Sequence, residues 1–339
     1  MISGNKFTIL FLIVFGAILI IAPAFVSSYE LNTLLMMLFY GYLASSWNIV
    51  GGYAGQLSLG HALFVGVGAY SSTFLFIQFG LTPWIGMIIG ALLATLIGAF
   101  LGFLSFHYQI KGPYFALVTL ALAQVFLYLT LNIKKLGAAS GLVVPTKGNA
   151  PLLFQFQNRI IYYYIMLFML ALVIGITAFI LRHRIGYYFL AIRENESAAQ
   201  ALGINVMKYK IFAVGLSAFF SAIGGSFYAQ YFMFIDAPSV MGLALSTDIV
   251  SFAVIGGVGT LLGPLIGSVV LVTVGDFTRS LFASTLSGSG LRSIHVIVYG
   301  IFLILVILFM PKGIVGWIKD LIVSKTGKAK GVAVSGKLN

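Results

Sequence analysis

The sequence predicts an all-α polytopic membrane protein with about eight full spans plus one glycine-rich helical hairpin, about 10 membrane segments in all. Three observations carry this. Charged residues make up only 8% of the 339, against roughly a quarter in soluble domains. Apolar residues make up 60%, more than a soluble globule of this size can hide from water. Apolar stretches also recur at about the 20-residue length that a helix needs to cross a bilayer.

The stretches are Phe7–Val26, Leu31–Val50, Ala62–Phe79, Pro83–Phe106, Pro113–Asn132, Ile160–Leu181, Tyr209–Met233 and Ile294–Met310. The first follows Lys6 and ends near Ala22-Pro23-Ala24, the outline of a cleaved signal peptide. Its length and the span immediately after it favour a retained helix. Residues 1–30 then form an N-terminal helix and first outer loop, 31–310 one membrane domain, and 311–339 a basic tail.

Lysine and arginine set the expected orientation. Arg182, Arg184, Arg193, Lys208 and Lys210 crowd one connection, and Lys312, Lys319, Lys325, Lys328, Lys330 and Lys337 fill the tail. Both belong inside, as does the turn at His107–Gly112 with Lys111. The loop 133–159 carries Lys134, Lys135, Lys147 and Arg159 and opposes the rule, yet alternation places it outside. The net charge of +12 is therefore a membrane signature. No basic-aromatic groove supports nucleic-acid binding.

Alternation also decides Ser246–Gly275. A single crossing there would leave the lysine-rich tail outside. Gly256, Gly257, Gly259, Gly263, Pro264 and Gly267 interrupt this run, and lipid cannot satisfy the backbone groups such breaks free. A hairpin of two short helices returning to the outside resolves both problems, and both termini are then cytoplasmic. A second break, Gly51–His61, lies in the first half. Broken segments in both halves point to an internal repeat around a midplane path, although the two share composition rather than residue identity.

Chemical signatures are sparse. There is no cysteine, no phosphate loop and no zinc-protease motif. The four histidines, His61, His107, His183 and His295, are too dispersed in sequence to suggest a metal site, and the seven acids are scattered. This is expected to be no enzyme, with no cofactor or metal on the chain. No apolar run carries the acid–histidine chain of a proton relay, which weighs against an ion-coupled secondary carrier. Asp248 and Asp276 flank the glycine hairpin and read as interfacial acids on the outer face, with solute recognition the competing view. Gln56, Ser58 and His61 either line a path or satisfy backbone freed by the glycines. Tyr162-Tyr163-Tyr164 reads as an interfacial aromatic belt.

The most informative soluble stretch is Arg193–Gly203. Glu194 and Glu196 suit the positive start of a short helix. Ala198, Ala199 and Ala201 favour helix with little bulk, and Gly203 is a natural stop. A small, smooth helix between two spans suits insertion into a partner's cleft; a plain surface helix is the alternative.

Four stretches, in order, carry a resemblance to a known family: Trp47–Ala62 with Gly66, Gly68, Ala69 and Tyr70; Lys111–Leu120 with its Gly112-Pro113-Tyr114; Ala191–Asn205; and Gly256–Gly267. Over roughly residues 30–310 the chain resembles the LivM-type permease subunit of branched-chain amino acid ABC transporters. The resemblance implies an importer for branched-chain, hydrophobic amino acids in the cell inner membrane. In it this chain and a second, LivH-like permease form the path, two ATPase subunits hold ATP and magnesium, and an extracytoplasmic solute-binding protein delivers the solute. It further implies that residues 193–203 form the coupling helix, with Arg193, Glu194, Ala198, Ala199 and Gly203 at the ATPase. Gly52, Gly55, Gln56, Ser58, Gly60, His61, Gly256, Gly257, Gly259 and Gly263 then belong to the translocation path. Two departures stand out: Gly186-Tyr187-Tyr188 where the family often has Gly-Arg, and Gly137-Ala138-Ala139-Ser140-Gly141 where it often has Gly-Gly-Ser. Urea and short-amide permeases share the same motifs.

Overall fold

The computed structural model describes residues 16, 19–285, 294–318 and 320. Residues 7–15, 17 and 18 of the run Phe7–Val26 and the tail beyond residue 320 lie outside the described residues.

Helix α1 (Ser28–Asn48) starts with a reciprocal cap: Glu30 N–H donates to Ser27 Oγ, and Ser27 N–H donates to the Glu30 carboxylate at 2.7 Å. Two orphan donors are thereby satisfied. It runs into a π-helical turn, Ile49–Tyr53, and the chain then unwinds to residue 60. Helices α2 (His61–Phe79), α3 (Pro83–His107) and α4 (Pro113–Asn132) follow. Proline at the first position of α3 and α4 costs no intrahelical bond and presets the backbone.

A loop with a two-residue strand β1 (Leu142–Val143) leads to α5 (Arg159–Arg182). The short helices α6 (Arg184–Glu194) and α7 (Glu196–Ala201) precede the long α8 (Val206–Phe232). Strand β2 (Phe234–Ile235) pairs antiparallel with β1, Leu142 opposite Ile235. Then come α9 (Ala237–Met241), α10 (Leu243–Gly256), α11 (Gly263–Thr285) and α12 (Ile294–Phe309).

Among the described residues, eight helical segments are long and apolar enough to cross a membrane, and a shorter one covers Ile297–Val306. Large apolar side chains such as Leu96, Phe100, Phe168 and Phe179 stand 62–67% exposed on α3 and α5. That surface is tolerable only against lipid or another apolar protein face.

Two cores share α8. One joins α1, α5, α10 and α11 around Trp47, Phe39 and Tyr163. The other joins α2, α3, α4 and α8 around Phe64, Leu101 and Phe115. Between α2 and α8 the backbones nearly touch, with Gly68 against Ala222 and Gly225 against Val65.

The expected hairpin is present but larger. Its break is confined to residues 257–262, so the arms extend over 237–256 and 263–285 and each can span by length. Asp276 accepts from Thr33 near the start of α1 at 2.7 Å, and the turn lies against Asn48 at its end. The second arm therefore runs the length of α1, and "two short helices" is corrected to two long ones. The turn shares one face with Arg193 and with Gly313, which packs on Gly257. The 133–159 loop lies on the opposite face, where Trp84 Nε1 donates to Pro151 O. Asp248 sits half-buried within α10, about two turns from the hairpin turn. The tyrosines form no simple belt. Tyr162 and Tyr163 are buried, and the hydroxyls of Tyr163 and Tyr164 donate to the Leu19 and Ile20 carbonyls.

Candidate functional site: a three-way junction at the glycine breaks

The two glycine breaks meet. Asn48, the last residue of α1, is buried and aims its carboxamide at the second break. Its Oδ1 accepts from Gly259 N–H at 2.8 Å and its Nδ2 donates to Thr260 O at 2.9 Å. Arg193, at the end of α6, donates from Nη1 to Gly52 O in the first break at 2.7 Å. Gly259 has φ +73°, and a Cβ there would collide with that same guanidinium nitrogen. Only glycine satisfies both demands. Gly256 is needed for a different reason: its Cα faces the Gly263 carbonyl and the Gly267 amide of the other arm.

A second link starts from Glu196. The Asn195 side chain accepts from Ala198 N–H at 3.0 Å and caps α7, which orients Glu196 inward. Its Oε1 accepts from Gln56 Nε2 at 3.3 Å and from the Lys210 ammonium. Lys210 is buried and lies 4.9 Å over the Phe106 ring. A buried ammonium needs such a partner, because an unpaired charge there is costly.

Above these lies a closed polar relay. Ser217 Oγ donates to Ser46 O at 2.6 Å, so it must accept from His61 Nε2–H, also at 2.6 Å. His61 Nδ1 then carries no proton and accepts from Ser58 Oγ at 3.1 Å. The neighbours thus fix the neutral tautomer. Trp47 Nε1 donates to Ser58 O, and Leu59 N–H donates to Thr119 Oγ1.

Each expected path residue has a definite place. Gly52, Gln56, Ser58, Gly60, His61, Gly256, Gly257 and Gly263 are buried within this chain. Gly55 is exposed beside Arg193, and Gly259 is half-buried. They sit in a packed joint within this chain, and His61 is buried and hydrogen-bonded at both ring nitrogens. The element at 193–203 is not one helix, since Asn195 divides it. Arg193 and Glu194 end α6 instead of starting a helix, and Glu194 makes no ion pair or hydrogen bond among the described residues. Ala198 and Gly203 are exposed, but Ala199 is 2% exposed and faces its own chain. Reading 193–203 as a single smooth docking surface is corrected on that point.

Sequence reasoning missed Asn48, Glu196, Lys210 and Thr260 as members of the site. A polar or charged residue within an apolar run is itself a signal, and it was available for Asn48 and Lys210. Among the described residues no cluster of His, Asp and Glu could hold a metal.

A lipid-compatible bundle whose broken helices are tied to a short exposed helical pair defines a polytopic permease. The family model described as the permease component of the branched-chain amino acid transport system matches residues 29–307. The chain belongs to this family. The high-affinity branched-chain amino acid transport permease proteins LivM of Salmonella typhimurium and Escherichia coli are each 25% identical to it, over 97% of this chain and 83% of theirs. A probable branched-chain amino acid transport permease protein LivM of Methanocaldococcus jannaschii is 23% identical over 91% of this chain and all of its own length.

Proposed function

We propose that this chain is one of two permeases forming the path of an ATP-driven importer for branched-chain amino acids, with α6–α7 as the handle pulled by a separate ATPase. One observation carries the reading: α6 and α7 are joined directly to both glycine breaks, through Arg193 to Gly52 and Gly259 and through Glu196 to Gln56. Residues 31–310 are then the permease domain, and the Arg193 face is cytoplasmic, with both termini on it, in a cell inner membrane. ATP and magnesium belong to the two ATPase subunits. A LivH-like second permease and an extracytoplasmic solute-binding protein complete the assembly.

ATP draws the ATPase subunits together and shifts α6–α7. Arg193 transmits the shift to the glycine joint, and Glu196 transmits it to the start of α8. The path then opens to the outside and accepts solute, and hydrolysis resets it. Transmission needs contacts that differ in free energy between the two states, and a docked helix supplies them. Ala198, Gly203 and the 81%-exposed Leu202 present the docking face, while Ala199 holds α7 to its own chain.

The test is ATP-driven uptake of leucine and of urea in membranes carrying the full assembly. Leucine uptake is expected. Ala198→Trp lowers it more than about tenfold, the loss of about 1.4 kcal/mol of coupling, at an unchanged membrane level. Undiminished uptake in the variant overturns the handle, and urea uptake without leucine uptake overturns the solute.

A further inference from the structure

Beside α7, on the Arg193 face, lies a half-open cavity of about 510 Å³, within the range of small-molecule sites. It runs between the α3–α4 turn and the start of α8. Two opposite charges face it as a loose, half-exposed ion pair. Glu196 Oε1 is occupied by Lys210 and Gln56. Its Oε2 lies 3.8 Å from Lys111 Nζ, beyond hydrogen-bond length. Lys111 is exposed and makes no hydrogen bond among the described residues. The cavity therefore offers an anionic acceptor and a cationic donor side by side, paired loosely and without a hydrogen bond between them, so a ligand can take both. Ile110, Ile204 and Met207 also line the cavity and give it an aliphatic part.

We propose that this cavity binds a free zwitterionic α-amino acid with a short aliphatic side chain. Such a molecule carries its ammonium and carboxylate on one carbon. The ammonium donates to Glu196 Oε2, the carboxylate accepts from Lys111, and the aliphatic group rests on the aliphatic part. A simple anion meets the Glu196 carboxylate and a simple cation meets two lysines, so neither uses the site fully. The bound amino acid bridges the α3–α4 turn to α7. Solute accumulated on that side thereby restrains the element proposed as the handle. The inference rests on that reading for its consequence, and on the cavity alone for its ligand.

The test uses the permease–ATPase assembly in nanodiscs without binding protein, with radiolabelled valine in equilibrium dialysis. One saturable site per copy of this chain is expected. Lys111→Gln weakens it by about tenfold or more, the loss of a charge-assisted bond, and Lys111→Arg largely retains it. Isovalerate, isobutylamine and phosphate compete poorly. Because the chain has no cysteine, Ser197→Cys at the cavity edge gives this chain, read on its own gel band, a single maleimide target that valine should protect. No saturable binding, binding indifferent to Lys111→Gln, or protection by the ATPase alone regardless of valine each overturns the proposal. Valine uptake by the same assembly with its binding protein separates the outcomes. Uptake without Lys111-dependent binding refutes only this site, whereas no uptake of any aliphatic amino acid refutes the transport reading.

Discussion

The two glycine breaks solve one problem in opposite ways. The first, residues 51–60, is held largely by its own neighbourhood: Gln56 N–H returns to Val50 O, Trp47 grips Ser58 O, and Ser58 joins the His61 relay. The second, residues 257–262, has a small internal turn, in which Thr260 bonds Gly257 O through both its amide and its hydroxyl. Its remaining support comes from Asn48 on another helix. One break is built in and the other is docked. Arg193 bonds the built-in break at Gly52 O and packs against the docked one at Gly259, and the docked one can be released without dismantling a helix.

Asn48→Ala should give the largest effect. It removes both bonds and leaves the Gly259 amide half-buried without an acceptor, a cost of about 2–4 kcal/mol. Hydrogen exchange at residues 257–262 should quicken at least about 30-fold, while residues 51–60 stay nearly unchanged. Equal quickening in both breaks would remove the distinction. His61→Phe is the converse: it keeps the volume but orphans Ser58 Oγ, costing about 1–3 kcal/mol, and should loosen residues 51–60 alone. Gly259→Ala should cost about 1–2 kcal/mol through its left-handed backbone and the displaced guanidinium. In a double-mutant cycle with Arg193→Ala, thermal stability should be non-additive; additivity would mean that Arg193 and Gly259 do not share a joint. Thr260→Val should be smallest, about 0.5–1 kcal/mol for one half-buried bond, read as a small fall in melting temperature.

Much of this architecture was legible because lipid punishes exposed backbone and charge. Seven of the eight apolar runs reappear as helices within a few residues of their expected ends, and alternation of sides placed the hairpin turn beside Arg193. What was not legible depended on direction rather than composition. Asn48 ends an apolar run, and only its rotation around α1 shows that it serves the other break. Glu194 and Glu196 looked equivalent, yet Asn195 caps α7 between them and turns one outward and the other inward. That cap follows the ordinary preference for asparagine before a helix, so the division of 193–203 was readable and passed over. Ala199 differs from Ala198 by a single step around a short helix, enough to exchange an exposed side chain for one buried at home.

The seam between α2 and α8 has a mechanical consequence. Where Gly68 meets Ala222 and Gly225 meets Val65 there is no room for a methyl group, so the two backbones lie in direct contact over this stretch. They act as a single stiff beam with α7 attached near one end. A displacement entering α8 at Val206 is thereby shared with α2 along this seam.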